Sequence, residues 1–247
     1  AVAPATVNYG WIVEGPTGYL YAARSNSTAS FWRYDIQANT WSDEDAADSP
    51  LTLSAGTIGV YDGSRYIYVT RGGSDDAFFV YDTQTDTWTT LANVQFDVLN
   101  AVYQGGDSTY DGTYVYVIQG GGYSGFSRYL PSSDTWEILP ALPHIAQNDG
   151  SIEYDATQGA IYYTPGNSRL GFYKYDIGDE TWTQLIDVPA TMGQGSDIQN
   201  VGGKLYVMRG GATQNVYTYN TVTGRWIIPT FGIFDGFFRG TSYNTFN

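Results

Sequence analysis

Three arginines, Arg24, Arg71 and Arg209, each stand three residues after a tyrosine, at Tyr21, Tyr68 and Tyr206. Gln119 and Pro165 hold the same offset from Tyr116 and Tyr162. If these positions are equivalent, three guanidinium groups and one amide gather around a single opening. Such a cluster binds a carboxylate or sulfate bidentately. The alternative is that each arginine pairs with an acid or carbonyl close by, because the chain carries 25 acidic groups to nine arginines. A second candidate surface is the loop Tyr123-Ser124-Gly125-Phe126, whose rings could stack on a sugar or pack inside the protein. The acidic run Asp43-Glu44-Asp45-Ala46-Ala47-Asp48 offers oxygen ligands, but it lacks an EF-hand arrangement and its glycine, so a solvated loop is the simpler reading. Other loops of the same kind are the segment 140–144 and Thr191-Met192-Gly193-Gln194. His144 is the only histidine and reads as a loop residue.

The elements that must position these residues come from a repeat. Tyr21/Tyr34/Trp41, Tyr68/Tyr81/Trp88, Tyr116/Tyr129/Trp136, Tyr162/Tyr175/Trp182 and Tyr206/Tyr219/Trp226 share one internal spacing, with the second Tyr at +13 and the Trp at +20. The distance from each Trp to the next Tyr varies, at 27, 28, 26 and 24 residues. A fixed unit joined by connections of variable length is the pattern of a repeat architecture, in which no unit buries its apolar face alone. In the second unit, 57–61 reads as a strand, Asp62-Gly63 as a hairpin turn and 66–71 as a β-branched and aromatic strand. Strands at 78–82 and 87–91 follow, separated by the turn 83–86. Four short antiparallel strands per repeat describe one blade of a β-propeller. Helical periodicity is lacking throughout.

The doublets Gly72-Gly73, Gly121-Gly122 and Gly210-Gly211, the steps Tyr34-Asp35, Tyr81-Asp82 and Tyr175-Asp176, and the Trp at fixed offset together resemble the kelch repeat. The likeness covers about residues 7–230. It departs at Ser25-Asn26 and Gly166-Asn167, which replace the doublet, and at Tyr129-Leu130 and Tyr219-Asn220, which lose the Asp. The resemblance implies an all-β propeller of four-stranded antiparallel blades, and the five repeats make it five-bladed, at about 7–49, 50–97, 98–144, 145–190 and 191–230, where kelch propellers usually carry six or seven. It also implies ligand sites at the mouth of a central funnel, where Arg24, Arg71, Gln119, Arg209, Tyr123 and Phe126 are the expected ligand-binding residues. The five Trp read as packing between blades. A surplus strand at 236–247 is expected to close the ring, with strand addition to a neighbouring subunit as the alternative.

Composition excludes several functions. A formal charge of −14 and only two lysines argue against nucleic acid and anionic membranes. Without cysteine there are no disulfides, thiolate chemistry or Cys-ligated metals. Copper oxidases of kelch type need Cys and more than one His, so no cofactor is expected, and no apolar run reaches membrane-spanning length. Ser133-Asp134-Thr135-Trp136 resembles part of a sialidase motif but lacks its glycine spacing. Scarce Lys, abundant Thr, Ser, Asn, Gly and Tyr, and the small residues Ala1-Val2-Ala3-Pro4, which read as the end left by signal cleavage, suit an exported or cell-surface protein. The leading expectation is a non-enzymatic interaction module binding a protein or glycan partner, an anionic one included, through loops at one propeller face. Two alternatives stand beside it. One is a carbohydrate-active propeller enzyme using Asp and Glu at the funnel, for which two carboxylates about 5–9.5 Å apart at the mouth would be the signature. The other is a structural subunit of a surface assembly joined through the C-terminal strand.

Overall fold

A computed structural model of the chain describes residues 1–7, 9–25, 27–42 and 46–227. Within them lie twenty strands and no helix. Blade 1 is built from β1 (Trp11–Glu14), β2 (Tyr19–Ala23), β3 (Phe31–Asp35) and β4 (Thr40–Ser42). Blade 2 has β5 (Gly59–Tyr61), β6 (Tyr66–Thr70), β7 (Phe78–Asp82) and β8 (Thr87–Thr90). Blade 3 has β9 (Asp107–Tyr110), β10 (Val115–Ile118), β11 (Phe126–Leu130) and β12 (Thr135–Ile138). Blade 4 has β13 (Ser151–Asp155), β14 (Ala160–Thr164), β15 (Tyr173–Asp176) and β16 (Thr181–Gln184). Blade 5 has β17 (Asp197–Val201), β18 (Lys204–Met208), β19 (Val216–Asn220) and β20 (Arg225–Ile227). Each blade is a four-stranded antiparallel sheet whose strands pair in chain order, and the five form a β-propeller. The surplus strand expected at 236–247 lies outside the described residues.

Local chemistry sets the turns. Asp62 opens the β5–β6 hairpin by accepting the amides of Ser64, Arg65 and Tyr66 on one carboxylate oxygen at 2.8, 2.7 and 2.9 Å, and Gly63 follows at φ 78°. This is an Asx turn, which lets a short acid replace backbone bonding. The Asp of the Tyr-Asp step does the same for the turn between the third and fourth strands. Asp35, Asp82 and Asp176 accept the amides of Ala38, Gln84 and Gly178 at 2.8, 2.9 and 3.0 Å. Asn220 serves equally, accepting Val222 N–H at 3.0 Å, so the loss of Asp there costs nothing in geometry. Five residues after the second Tyr, the chain turns left-handed at Asn39, Asp86, Asp134, Glu180 and Gly224. The tyrosine hydroxyl secures that corner in three blades. Tyr34, Tyr81 and Tyr129 donate at 2.7 Å to Asn39, Asp86 and Asp134 respectively.

The repeat Trp lies opposite the second Tyr in every blade, from Tyr34↔Trp41 to Tyr219↔Trp226. Its ring crosses the seam to a phenylalanine of the preceding blade. Centroid distances are 5.0 Å for Phe31–Trp88, 5.0 Å for Phe78–Trp136, 5.2 Å for Phe126–Trp182 and 4.9 Å for Phe172–Trp226. The indole N–H bonds the same neighbour, with Trp88, Trp136, Trp182 and Trp226 donating to Ala47, Ala92, Pro140 and Ile186 carbonyls at 2.7, 2.9, 3.1 and 3.0 Å. Four apolar clusters result, one in each seam from blades 1/2 to blades 4/5. Trp136→Ala should therefore lower the unfolding free energy by about 3 kcal/mol. Trp136→Phe, which keeps a ring and loses the bond to Ala92, should cost about 1 kcal/mol. Urea denaturation checks both, and an unchanged midpoint for Trp136→Ala would contradict the seam role.

Candidate functional site

The inner strands β1, β5, β9, β13 and β17 line the axis, each packed against the next from blade 1 to blade 5. Their register against the second strands makes Trp11, Ile58, Asp107, Ser151 and Asp197 equivalent, and two residues further along Val13, Val60, Thr109, Glu153 and Gln199. Both rings are apolar on blades 1 and 2 and polar on blades 3, 4 and 5. The axial channel thus has one greasy wall and one hydrogen-bonding wall.

The polar wall does specific work. An inner strand is a sheet edge, and on alternate residues its amides have no partner in its own blade. Asp107 accepts the Ile152 amide of the next blade at 2.8 Å, and Ser151 accepts the Ile198 amide at 3.2 Å. Thr109 accepts Tyr154 N–H at 3.1 Å and Glu153 accepts Asn200 N–H at 3.0 Å. Each blade's axial side chains bond the edge of the blade that follows. On the apolar wall, Trp11 instead lies flat against Gly59, where an added Cβ would come within 2.4 Å of the indole. There the neighbouring edge is covered rather than bonded.

Ser151 also sits between two carboxylates, with Oγ 2.9 Å from Asp107 Oδ2 and 3.1 Å from Asp197 Oδ1. One hydroxyl proton can serve only one of them, so the second contact is a hydrogen bond only if an aspartate carries a proton. Burial pushes the Asp107 carboxyl up to about 6, against the amide and Ser151 hydrogen bonds that oppose it. Burial, reinforced by the charges of Asp197 and Asp107, pushes Glu153 up to about 8. Deep in the channel the space beside Glu153 and Asp107 is only about 50 Å³, room for a water or two. Ser151 fills the gap between Asp107 and Asp197, where a pair of hydrolytic carboxylates would need to hold a glycosidic bond. A sugar ring does not fit there. Among the described residues no three acidic or histidine side chains converge as a metal site.

Above the channel the mouth forms a cavity of about 90 Å³ to which all five blades contribute. Polar groups at its rim include Gln104, Asn148 and Asp149. Two residues before the upper axial ring, Gly56, Gly105 and Gly195 adopt φ of 86°, 84° and 74°. In blade 1 the same place belongs to Tyr9, at φ 56° and well exposed. A left-handed aromatic residue is strained, at roughly 1–3 kcal/mol.

The loop face surrounds this mouth. On it, Arg24, Arg71 and Arg209 each donate Nε to a threonine carbonyl, of Thr6 at 3.2 Å, Thr52 at 3.1 Å and Thr191 at 3.0 Å. Arg71 is also paired with Asp75. Gln119 is 1% exposed and donates to the Leu99 carbonyl at 2.6 Å. Tyr123 is half-buried, its ring 5.2 Å from that of Tyr103. Phe126, 1% exposed, is the blade-3 member of the seam phenylalanines. His144 stands exposed, its ring 6.1 Å from Tyr173 and its carbonyl accepting Tyr163 OH. Of the acidic loop, Asp43, Glu44 and Asp45 lie outside the described residues. Exposed apolar side chains on these loops are Leu51, Val98, Leu99, Ile145 and Leu170.

The axial acids and Tyr9 were not apparent from sequence. The inner strand precedes the repeat Tyr by a hairpin of variable length, so Asp107, Ser151 and Asp197 stand 9, 11 and 9 residues before their tyrosines and do not align by eye. No protein-family model and no curated protein matches this chain.

The raised carboxyls give the fold a defined pH response. A folded pKa above the unfolded value means that the neutral acid contributes fully below the unfolded pKa, 4.5 for Glu153, and is lost as pH rises through about 8. The melting temperature should fall across this window. Glu153→Gln, neutral at every pH, should match the wild type in acid and melt roughly 5 °C higher in mild alkali. Circular dichroism melts at both pH values check this; parallel pH profiles for the two proteins would refute it.

Proposed function

We propose that the protein is a non-enzymatic, kelch-like interaction module that holds a protein or glycan partner on the loop face around its funnel. The observation that carries this reading is Tyr9. It keeps a strained backbone at the mouth, where three equivalent positions are glycines, and it presents an exposed aromatic ring to the cavity. Strain kept at a rim is best explained by what the side chain does there. Around it the propeller, a common scaffold for protein interactions, offers Leu51, Val98, Leu99, Ile145 and Leu170 on its loops. Arg24, Arg71, Arg209 and Tyr123 lie on the same face, and we assign them to an anionic or aromatic-stacking portion of the partner.

The enzymatic alternative has less support, because the carboxylates of the channel bond backbone amides and leave no room for a sugar between them. Export is supported by composition, with two lysines in 247 residues and abundant Thr, Ser, Asn, Gly and Tyr.

Tyr9→Gly separates stability from binding. It should raise the unfolding free energy by about 1 kcal/mol through relief of strain. It should also weaken any glycan or protein ligand found by array screening at least about tenfold, the loss of one aromatic contact. Denaturant titration and surface plasmon resonance on the same two proteins measure both. Unchanged affinity for a ligand mapped to this face, or turnover of a glycan by the wild type, would remove the reading.

A further inference from the structure

The inner strands run away from the loop face, so the hairpins that join first to second strands ring the far end of the channel. Register makes Glu14, Tyr61, Tyr110, Tyr154 and Asn200 equivalent there, one residue beyond the ring of Val13, Val60, Thr109, Glu153 and Gln199. All five line a second cavity, of about 580 Å³, which opens at this end. Small-molecule sites have this size. Five carboxyl groups line it, those of Glu14, Asp62, Asp111, Glu153 and Asp155, and among the described residues no lysine or arginine does.

Tyr61, Tyr110 and Tyr154, on three consecutive blades, are half-buried, and each rests on the apolar cluster of a different seam. Among the described residues none of their hydroxyls finds a hydrogen-bond partner and none of their rings packs on another ring. A tyrosine hydroxyl drawn inward usually finds a partner, as those of Tyr81, Tyr116 and Tyr129 do. Close by, other tyrosine faces are already occupied. Arg33, Arg65 and Arg128 lie over Tyr19, Tyr66 and Tyr114 at 4.8, 5.1 and 4.7 Å from the ring centroid. Those three tyrosines are equivalent, each two residues before the first repeat Tyr, so a cation over a tyrosine face is an arrangement that three blades share.

The carboxylates supply charge more than free lone pairs. Asp62 and Asp111 each give Oδ1 to amides of their own hairpin turn, and Asp111 Oδ2 accepts Tyr116 OH at 3.0 Å. Asp155 is 0% exposed; its Oδ1 takes the Thr157 amide at 2.9 Å and hydroxyl at 2.6 Å, while Oδ2 has no hydrogen-bond partner. Burial opposes that charge, but Thr157, Thr221 and Asn200 outweigh it and hold the carboxyl below its ordinary range. An anion is thus kept buried in the wall with no base beside it. The field of these acids reaches the phenols. Burial with the charges of Asp62 and Glu14 pushes Tyr61 up to about 12, and burial with Asp111 and Asp155 raises Tyr154.

We propose that this cavity binds an alkylammonium group, which lies over the faces of Tyr61, Tyr110 and Tyr154 within the field of the surrounding carboxylates. The chemistry selects that ligand over others. An anion would meet five carboxyl groups and no base. A sugar needs free acceptors for several hydroxyls, and the oxygens of Asp62 and Asp111 already serve turn amides. A quaternary or methylated ammonium needs only ring faces and negative potential, the two features the cavity combines. The net charge of −14 draws cations to the molecule. Small free amines and methylated lysine side chains both carry such a group, and one cage serves either. The site lies at the opposite end of the channel from Tyr9 and does not depend on the loop-face reading.

Titration of the full chain with choline, followed by NMR, tests the assignment. The N-methyl protons should shift upfield as they enter the ring faces, with saturable binding. The neutral isostere, in which a tert-butyl group replaces trimethylammonium, should bind at least about tenfold more weakly. Tyr110→Phe should keep the affinity for choline, Tyr110→Leu should lower it at least about threefold, and Glu14→Gln should lower it about twofold. A short peptide carrying one trimethyl-lysine, run in parallel, separates the sources: tighter binding of the peptide points to a protein, and tighter binding of choline to a small amine. Equal affinity for the neutral isostere, or no saturation by either cation at about 50 mM, would overturn the proposal. So would a choline affinity that Tyr110→Leu and Glu14→Gln both leave unchanged. If circular dichroism shows Tyr110→Leu unfolded, the upfield shift and the isostere comparison in the wild type decide the matter. Tyr9→Gly should leave choline binding as it is, which keeps this result separate from the loop-face site.

Discussion

Five sheet edges meeting on one axis set the terms for the rest of this molecule. An inner strand must leave alternate amides unpaired by its own blade, and the axis is too narrow to let water serve them all. The chain answers with side chains. Asp107, Thr109, Ser151 and Glu153 each accept an amide from the following blade, at 2.8 to 3.2 Å. Polar residues on the axis are thus part of how consecutive blades are joined, and the aromatic seams complete the joint further out. The cost is charge. Burial raises the pKa of Asp107 and of Glu153, the latter further through the charges of Asp197 and Asp107, and a protein of net charge −14 adds to the burden as pH rises.

The two walls of the channel solve the same problem by different means. Where Trp11 lies over Gly59, the edge is shielded by an indole that needs a neighbour without a Cβ. Where Asp107 and Ser151 stand, the edge is bonded, and the residues opposite, Ile152 and Ile198, are free to be large and buried. Sequence freedom in a repeat protein therefore sits in linked pairs across a seam, an axial side chain and the residue of the next blade that receives it. That linkage explains why repeats of one architecture can carry Trp, Ile, Asp, Ser and Asp at a single equivalent position.

The outer half of each blade was legible from the sequence and the inner half was not. Tyr81, Asp82, Asp86 and Trp88 lie within one strand–turn–strand unit of constant length, so their spacing is fixed by hydrogen bonds such as Tyr81 OH to Asp86 at 2.7 Å. The same geometry produced the five equal offsets. Inner strands are reached through hairpins of unequal length, and their residue types vary because seam partners vary with them. Phe126 shows the limit from the other side. As a loop-border aromatic it suggested sugar stacking, yet its equivalence with Phe31, Phe78 and Phe172 places it against Trp182 at 5.2 Å. Counting three residues back from the second Tyr would have found it.

Where the repeat rule is broken is then informative. Gly56, Gly105 and Gly195 obey a backbone demand for positive φ at the funnel rim, and any residue with a Cβ resists it. Tyr9 breaks the rule while meeting the same demand that Gly56, Gly105 and Gly195 meet without a Cβ, whereas Asp149, the equivalent residue of blade 4, takes no positive φ. Tyr206 breaks a burial rule that four equivalent tyrosines keep. The two departures lie on blades 1 and 5, either side of the one seam that no internal connection of the described chain crosses. A repeat ring has to differ from itself where its ends meet, because the blades there have one neighbour reached through no continuous backbone. It is at that join, freed from the covalent spacing that fixes the other four, that side chains can be given to something other than the next blade.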